Sequence, residues 1–394
     1  MIEHSLTDKE KRRGFLGLYL GRVITTISTA LLGIFLPIFL YELFERNIHA
    51  VLAYYFIAGL VYMLLVAKGA QFLNKFGFRK ALVVGTIAAA AVNVGYYFLT
   101  KENVLFIMPL IIFLLVVFRM LFWIPYHVDF ALFTRKGNRG RQIGFLLATL
   151  TLLGVAGPMI AGYIITNYGI SILFTISIIV FLLGVIPFSF IPRTNEKFSW
   201  DYARSWREVF EKKNRAVVLG NIALGAEETI GVIVWPIFIF LLLDGDYFKV
   251  GALSSFIAGA TVLMQFSLGH YLDRIGNKKH VLRIGSILYA LGWIVKIFVV
   301  TAFQVFIAGL YHKFAKIFTD TSFDAIFYEL AADQGHYIDE FTVLSEIAVQ
   351  IGRVVSIVAV GVMALYMSIE WTFVIGALAA LSLNALYGKM EQRV

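Results

Sequence analysis

Cysteine is absent from the 394 residues, so neither disulfides nor thiolate chemistry operate in this chain. Charged residues are sparse, at 15%. No group of His, Asp or Glu stands at metal-ligand spacing, and no GxxxxGK phosphate loop occurs, so neither a metal site, a cofactor nor nucleotide-driven pumping is supported. Strand-like alternation is missing, which argues against a β-barrel. What is present is apolar: 60% hydrophobic and 15% aromatic residues, with a mean hydropathy of +0.81, beyond the roughly half-apolar composition of soluble domains.

Apolar runs long enough to cross a hydrocarbon core of about 30 Å as helices recur along the whole length. They predict spans at 14–44, 49–72, 78–99, 103–131, 141–168, 170–192, 215–243, 248–270, 279–300, 303–330, 340–368 and 370–388. The chain therefore reads as an all-α polytopic membrane protein. The first run is too long for a cleavable signal, and 42–49 shows no small-residue cleavage pattern.

Basic residues set the orientation. Lys9, Lys11, Arg12, Arg13, Lys75, Arg79, Lys80, Arg135, Lys136, Arg139, Arg141, those between Arg193 and Arg215, Arg274, Lys278, Lys279, Arg283, Lys389 and Arg393 fall on one side, against Arg46, Lys101 and Lys249 on the other. Both termini are expected in the cytoplasm, the chain lying in the cell (inner) membrane. The net charge of +9 then reflects topology and anionic lipid, not nucleic acid.

The longest polar stretch, RTNEKFSWDYARSWREVFEKKNR (193–215), divides the chain nearly in two. Trp200, Ala203, Trp206 and Phe210 recur there at helical spacing, predicting an amphipathic helix on the inner membrane surface. Each half carries one version of a phrase, AQFLNKFGFRK (70–80) and GHYLDRIGNKK (269–279), 199 residues apart and each after the second span of its half. Gly269, Asp273, Arg274, Gly276, Lys278 and Lys279 match Ala70, Asn74, Lys75, Gly77, Arg79 and Lys80. A duplication of six helices follows.

The phrase resembles the loop signature of the major facilitator superfamily, G-x-x-x-D-R-x-G-x-R/K-R/K. The second copy matches throughout; the first departs at Ala70 and Asn74. The resemblance implies the major facilitator fold: two pseudo-symmetric six-helix bundles, 1–192 and 215–394, joined by a cytoplasmic linker, 193–214, and rocking about a midplane cavity. It also implies that the two phrases lock helices across the bundle interface, with Asn74 weakening the lock in the first half. A second stretch, GFLLATLTLLGVAGPMIAG (144–162), is similar to the family's antiporter motif at Gly144, Gly157, Pro158 and Gly162. Leu153 and Ala161 depart from it, and such residues also serve plain helix packing.

Ionisable groups inside a bilayer are costly and mark function. They concentrate in spans one, four, seven, ten and eleven; in the resembled family the first four of these line the cavity. In span ten Lys313, Lys316, Asp320 and Asp324 fall within about 80° on one stripe, which serves either substrate binding and proton coupling or i,i+4 ion pairing such as Lys316 with Asp320. In span seven, Glu227 and Glu228 lie about 16 Å along the helix and suit proton carriers. Glu228 shares a helical face with Trp235, while Glu227 could pair with a neighbouring helix. Arg22, Thr25, Thr26 and Thr29 share a face in span one, as do Arg119, Phe122, Trp123, Tyr126 and Phe130 in span four. These two faces form a candidate binding surface, Arg for an anionic group and rings for a sugar or a lipophilic cation. In span eleven Glu346, Gln350 and Arg353 read as structural pairs, with span ten as one partner, and Lys296 in span nine is deep but long enough to reach outward, so it is given no role.

The expected function is a secondary active transporter working by alternating access as a monomer among membrane lipids, and proton-coupled in the export of lipophilic or amphipathic small molecules. Glu228 and Asp320, with Glu227 and Asp324, would carry protons; Arg22, Thr26, Thr29, Arg119, Trp123, Tyr126, Trp235, Lys313 and Lys316 would bind substrate. The alternatives are a symporter or uniporter for a small polar or anionic solute such as a carboxylate or sugar, a lysolipid transporter, and a sensor that keeps the fold without transport.

Overall fold

In a computed structural model, residues 7–133, 139–194, 198–272, 278–333 and 338–384 are described. Helix α1 (Asp8–Leu32) starts on a capping box, in which Thr7 Oγ1 accepts the Glu10 N–H at 3.3 Å and Glu10 Oε2 accepts the Thr7 N–H at 2.9 Å. The first span is not continuous. It turns at 33–34 and resumes as α2 (Phe35–Leu43), because the Pro37 ring meets the carbonyl four residues back, at Gly33, and offers no N–H.

Then follow α3 (Ile48–Phe76), α4 (Phe78–Phe98), α5 (Val104–Phe133), α6 (Arg139–Tyr168) and α7 (Ile170–Ser189), with the short α8 (Tyr202–Phe210) between the halves. The second half begins with α9 (Arg215–Thr229), a π turn at Ile230–Val234 and α10 (Trp235–Leu242). Pro236 cannot donate, and the ladder slips so that the Trp235 N–H bonds the Ile230 carbonyl, five residues back. After it come α11 (Tyr247–Leu272), α12 (Lys278–Ile297), α13 (Ala302–Asp333), α14 (Ile338–Met363) and α15 (Phe373–Ser382). Among the described residues ten helical stretches are long and apolar enough to cross a membrane. The charged α13 and the short α15 complete the twelve predicted spans.

The 199-residue offset recurs in the backbone. Pro37 and Pro236 break the first helix of each half at equivalent points. Left-handed Glu45 and Arg46 (φ 56° and 65°) answer Asp244 and Gly245 (57° and 78°). Asn47 then caps α3, its Oδ1 accepting the His49 N–H at 3.0 Å, and Asp246 caps α11, its Oδ1 accepting the Lys249 N–H at 2.9 Å.

Close packing depends on glycine at few places. Between α9 and α14, a Cβ at Gly225 would run into the Val349 carbonyl, and one at Gly352 into the Ile222 carbonyl. Across the halves, α6 lies on α11, where a Cβ at Gly162 would meet the Tyr247 carbonyl at 2.6 Å and the Met159 N–H donates to Ser255 Oγ at 2.9 Å. Gly157 faces Ala30 of α1, whereas Gly144 and Gly154 face open space. Most of the antiporter-like residues are thus engaged in helix contact.

The helix ends that carry Thr7 and the 198–214 segment form what we term the terminal face. At the opposite face α2 packs on α10, the Phe35 and Tyr247 rings lie 5.9 Å apart, and Tyr247 Oη donates to Glu42 Oε2 at 2.6 Å.

The linker helix α8 is amphipathic, and part of it packs on the bundle. Trp200 is 9% exposed and Trp206 packs on the helix bundle, while Phe210 and the charged Arg204, Arg207, Lys212 and Lys213 point away. Helix α8 contacts α3, α9 and α14, burying Ser205, Glu208 and Val209, while Ala203 and Phe210 stay exposed. Ahead of it, Asn74 on α3 accepts the Phe198 N–H and donates to the Phe198 carbonyl, both at 2.8 Å. Glu340 on α14 accepts both the N–H and the Oγ–H of Ser199, at 2.8 and 2.5 Å.

Candidate functional site

A cavity of about 280 Å³ lies between the halves. Thr29 on α1, Tyr54 and Tyr55 on α3, Arg119 on α5, Glu228 on α9 and Arg353 on α14 line it. Arg353 Nη2 pairs with Glu228 Oε2 at 2.6 Å. Arg119 sits 5.5 Å from the Tyr62 ring centroid, and no carboxylate lies at ion-pair distance from it among the described residues. Tyr62, on α3, donates in turn to Glu346 Oε2 on α14 at 3.2 Å, a bond between the two halves. Glu346 and Arg353 therefore pair with α3 and α9, not with span ten as expected. The reason is the crossing of α14 against those two helices, which sequence spacing does not encode.

A second group lies within the carboxyl-terminal half. Glu227, 2% exposed, accepts from Tyr289 and holds Lys316 Nζ at 3.1 Å. The local alternative, Lys316 with Asp320, loses to this partner on another helix. Lys296 does not reach outward: it is 2% exposed, its Nζ 3.9 Å from the Trp293 and 4.0 Å from the Trp235 ring centroid. Two indole faces flank the ammonium in place of a direct ion pair. His312 packs beside them, 4.5 Å from Trp293 and 4.6 Å from Tyr289. Trp235 does not share the cavity face of Glu228, because the π turn between them adds a residue to that turn and rotates Trp235 into this cluster.

The third group stands on α1 and α5. The Arg22 guanidinium lies 4.8 Å from the Trp123 and 5.5 Å from the Tyr126 ring centroid, and His127 stacks on Trp123 at 5.8 Å. Thr29 reaches the central cavity and Thr26 does not line it, while Thr25 turns toward Gly184 of α7. Phe122 is buried against Phe188.

Lys313 is exposed, and neither it nor Asp320 makes an ion pair among the described residues. The side chain of Asp324 lies outside the described residues, as do Asp273, Arg274 and Gly276, and the side chains of Lys278 and Lys279. Gly269 falls in the last turns of α11. Of the first copy, Gly77 (φ 83°) makes the turn from α3 to α4, Arg79 opens α4, and Asn74 binds the linker. The departure from an acid at 74 has a structural counterpart, since an ionised carboxylate cannot donate to the Phe198 carbonyl.

Charge counting missed Tyr62, Tyr289 and His312, which are neutral side chains distinguished only by their partners. Lys296 was visible as a deep charge, and its flanking Trp293, three residues back, was the available signal.

A family model described as the Major Facilitator Superfamily matches residues 18–243. The uncharacterized protein YqgE of Bacillus subtilis (strain 168) is 23% identical over 245 residues, covering 60% of this chain. The matched stretch spans 56% of that relative's length. Among solved structures, the peptide transporter POT in complex with sulfate matches with a TM-score of 0.71 at 12% identity, over 97% of this chain and 94% of that one. A mutant of POT in complex with alafosfalin matches with a TM-score of 0.67 at 11% identity, over 99% of both chains.

Proposed function

The chain belongs to the major facilitator superfamily, and on that premise we propose that it is a proton-coupled secondary transporter of a small solute bearing an anionic group, which Arg119 anchors in the central cavity. The observation that carries this reading is the Arg119 guanidinium, which lines the cavity without an ion pair among the described residues; the acid whose charge reaches it, Glu346, is already bonded by Tyr62. A cation at membrane depth with no direct ion pair is costly, and an anionic ligand would supply both a contacting countercharge and acceptors for its forked N–H groups. Tyr54, Tyr55, Phe118 and Phe181 offer the body of such a ligand an aromatic wall. The sulfate complex of the POT neighbour is in keeping with an anion.

Across the cavity, the Glu228–Arg353 pair is the switch this reading requires. A proton on Glu228 frees Arg353 for the ligand; its loss restores the pair at 2.6 Å. Glu227, held by Lys316 and Tyr289, is the second exchangeable carboxylate. The terminal face is the cytoplasmic one, by the distribution of basic residues. Alternating access then requires the α2–α10 contact and the Tyr247–Glu42 bond to open on the outer side. The export of lipophilic compounds has less support, since Gly157 and Gly162 are engaged in packing.

The test is the unfolding midpoint of the purified protein against carboxylates, phosphonates, sugars and lipophilic cations at two pH values. A ligand at 100 times its Kd stabilises by about 2.7 kcal/mol. Carboxylates or phosphonates should raise the midpoint, and Arg119→Gln should abolish the rise. Stabilisation by lipophilic cations that survives Arg119→Gln would replace this reading with the exporter.

A further inference from the structure

Among the described residues, Arg22 resembles Arg119 in forming no ion pair. Arg22 lies over Trp123 and Tyr126, and its N–H groups meet no protein acceptor among the described residues. The acid next along α5, Asp129, is turned to Thr194, whose Oγ1 donates to it at 2.8 Å. The position of Arg22 is built into the fold. Gly14, Gly17 and Gly21 bring α1 so close to Phe133, Ile191 and Phe188 that a Cβ at any of them would collide, and this sets the next residue, Arg22, against α5.

Arg119, Trp123 and His127 follow one another at i,i+4 on α5, about 6 Å per step toward the terminal face. The ring contacts therefore place the Arg22 guanidinium one to two turns nearer that face than Arg119. Stacking on an indole occupies the flat side of a guanidinium and leaves its donor edge available. His127, stacked on the same indole and nearest the terminal face, is exposed at the end of the stripe.

We infer that Arg22, seated on Trp123 and Tyr126, is a second anion-binding subsite, through which a small organic anion passes between the terminal face and Arg119. This rests on the reading of the cavity as an anion path. A guanidinium at each stage keeps a desolvating anion within reach of a cation.

The absence of cysteine provides the test. In His127→Cys, the rate of thiol modification is compared for the anionic sulfonatoethyl, cationic trimethylammonioethyl and neutral methyl methanethiosulfonates. The anionic reagent is expected to outpace the cationic one by about tenfold, as a focused positive field dictates. Adding Arg22→Gln should erase most of that ratio while leaving the neutral reagent's rate unchanged; Arg22→Lys should preserve it; Arg119→Gln, one turn farther, should lower it less. A ratio indifferent to Arg22→Gln, or a thiol that reacts with none of the three reagents, overturns the subsite. The reading of Arg119 fails by a separate result, the lack of any anion-induced stabilisation of the unmodified protein.

Discussion

Asn74 holds the backbone of Phe198 at both its polar groups, accepting the N–H at Oδ1 and donating from Nδ2 to the carbonyl, each at 2.8 Å. An amide can do both, and an ionised carboxylate can only accept. Asn74→Asp, which restores the acid of the resembled loop signature, removes the donor and sets a carboxylate oxygen against a carbonyl. The expected loss is about 1 kcal/mol, the net worth of one hydrogen bond, read as a lower unfolding midpoint in detergent. A midpoint equal to that of the parent would mean that this bidentate contact does not hold the linker.

Glycine tolerance should divide sharply by place. Gly225→Ala and Gly352→Ala drive a methyl into a backbone carbonyl of the facing helix, a contact that cannot rotate away. Losses of about 3 kcal/mol or more are expected, with little folded protein recovered. Gly154→Ala meets nothing within 4 Å and should raise stability by up to about 1 kcal/mol, the helix-propensity difference. Comparable yields for all three variants would contradict the packing described.

The two interior ion pairs should differ in coupling. Glu227 and Lys316 have side-chain exposures of 3% and 25%, Glu228 and Arg353 of 33% and 28%. Removing Lys316 alone strands a buried carboxylate, at a cost of about 3–5 kcal/mol. Replacing both Glu227 and Lys316 by Gln should recover much of that. A double-mutant cycle on stability is expected to give a larger interaction for Glu227–Lys316 than for Glu228–Arg353; the reverse order would be inconsistent with their burial.

Acid sensitivity should include a contribution from Asp246 at the start of α11. The Lys249 backbone N–H bonded to its carboxylate holds it below the usual carboxylate range. A carboxyl with a folded-state value below its unfolded one stabilises above the unfolded value, and that stability is lost as pH falls through the folded one. Asp246→Ala should cost about 1 kcal/mol at neutral pH, the worth of a helix cap, and its deficit against the parent should shrink as the pH is lowered below 4. A deficit that is flat with pH would remove the charge from the account.

Much of the fold was legible because membrane thickness turns run length into helix number, and because the duplication repeats its breakers. Pro37 and Pro236 stand at the same offset as the two loop phrases, although the run-length reading drew spans 14–44 and 215–243 unbroken. The π turn after Thr229 was not legible: proline announces a break and leaves open whether the ladder kinks, as at Gly33, or slips by a residue, as at Ile230. That slip decides the site, since it parts Trp235 from Glu228 and delivers it to Lys296.

By itself the sequence determined that the chain spans a membrane as helices in two related halves, and which spans carry charge, because hydrophobic length, positional bias and burial cost are properties of the chain read in order. Only the tertiary structure decided which charges meet. Lys316 takes Glu227 over Asp320, Arg353 takes Glu228, Asn74 takes the linker, and Arg22 and Arg119 form no ion pair among the described residues. Partnership depends on how each helix is rotated about its own axis and on how closely glycine lets its neighbours approach, and both are set by contacts between residues far apart in the chain.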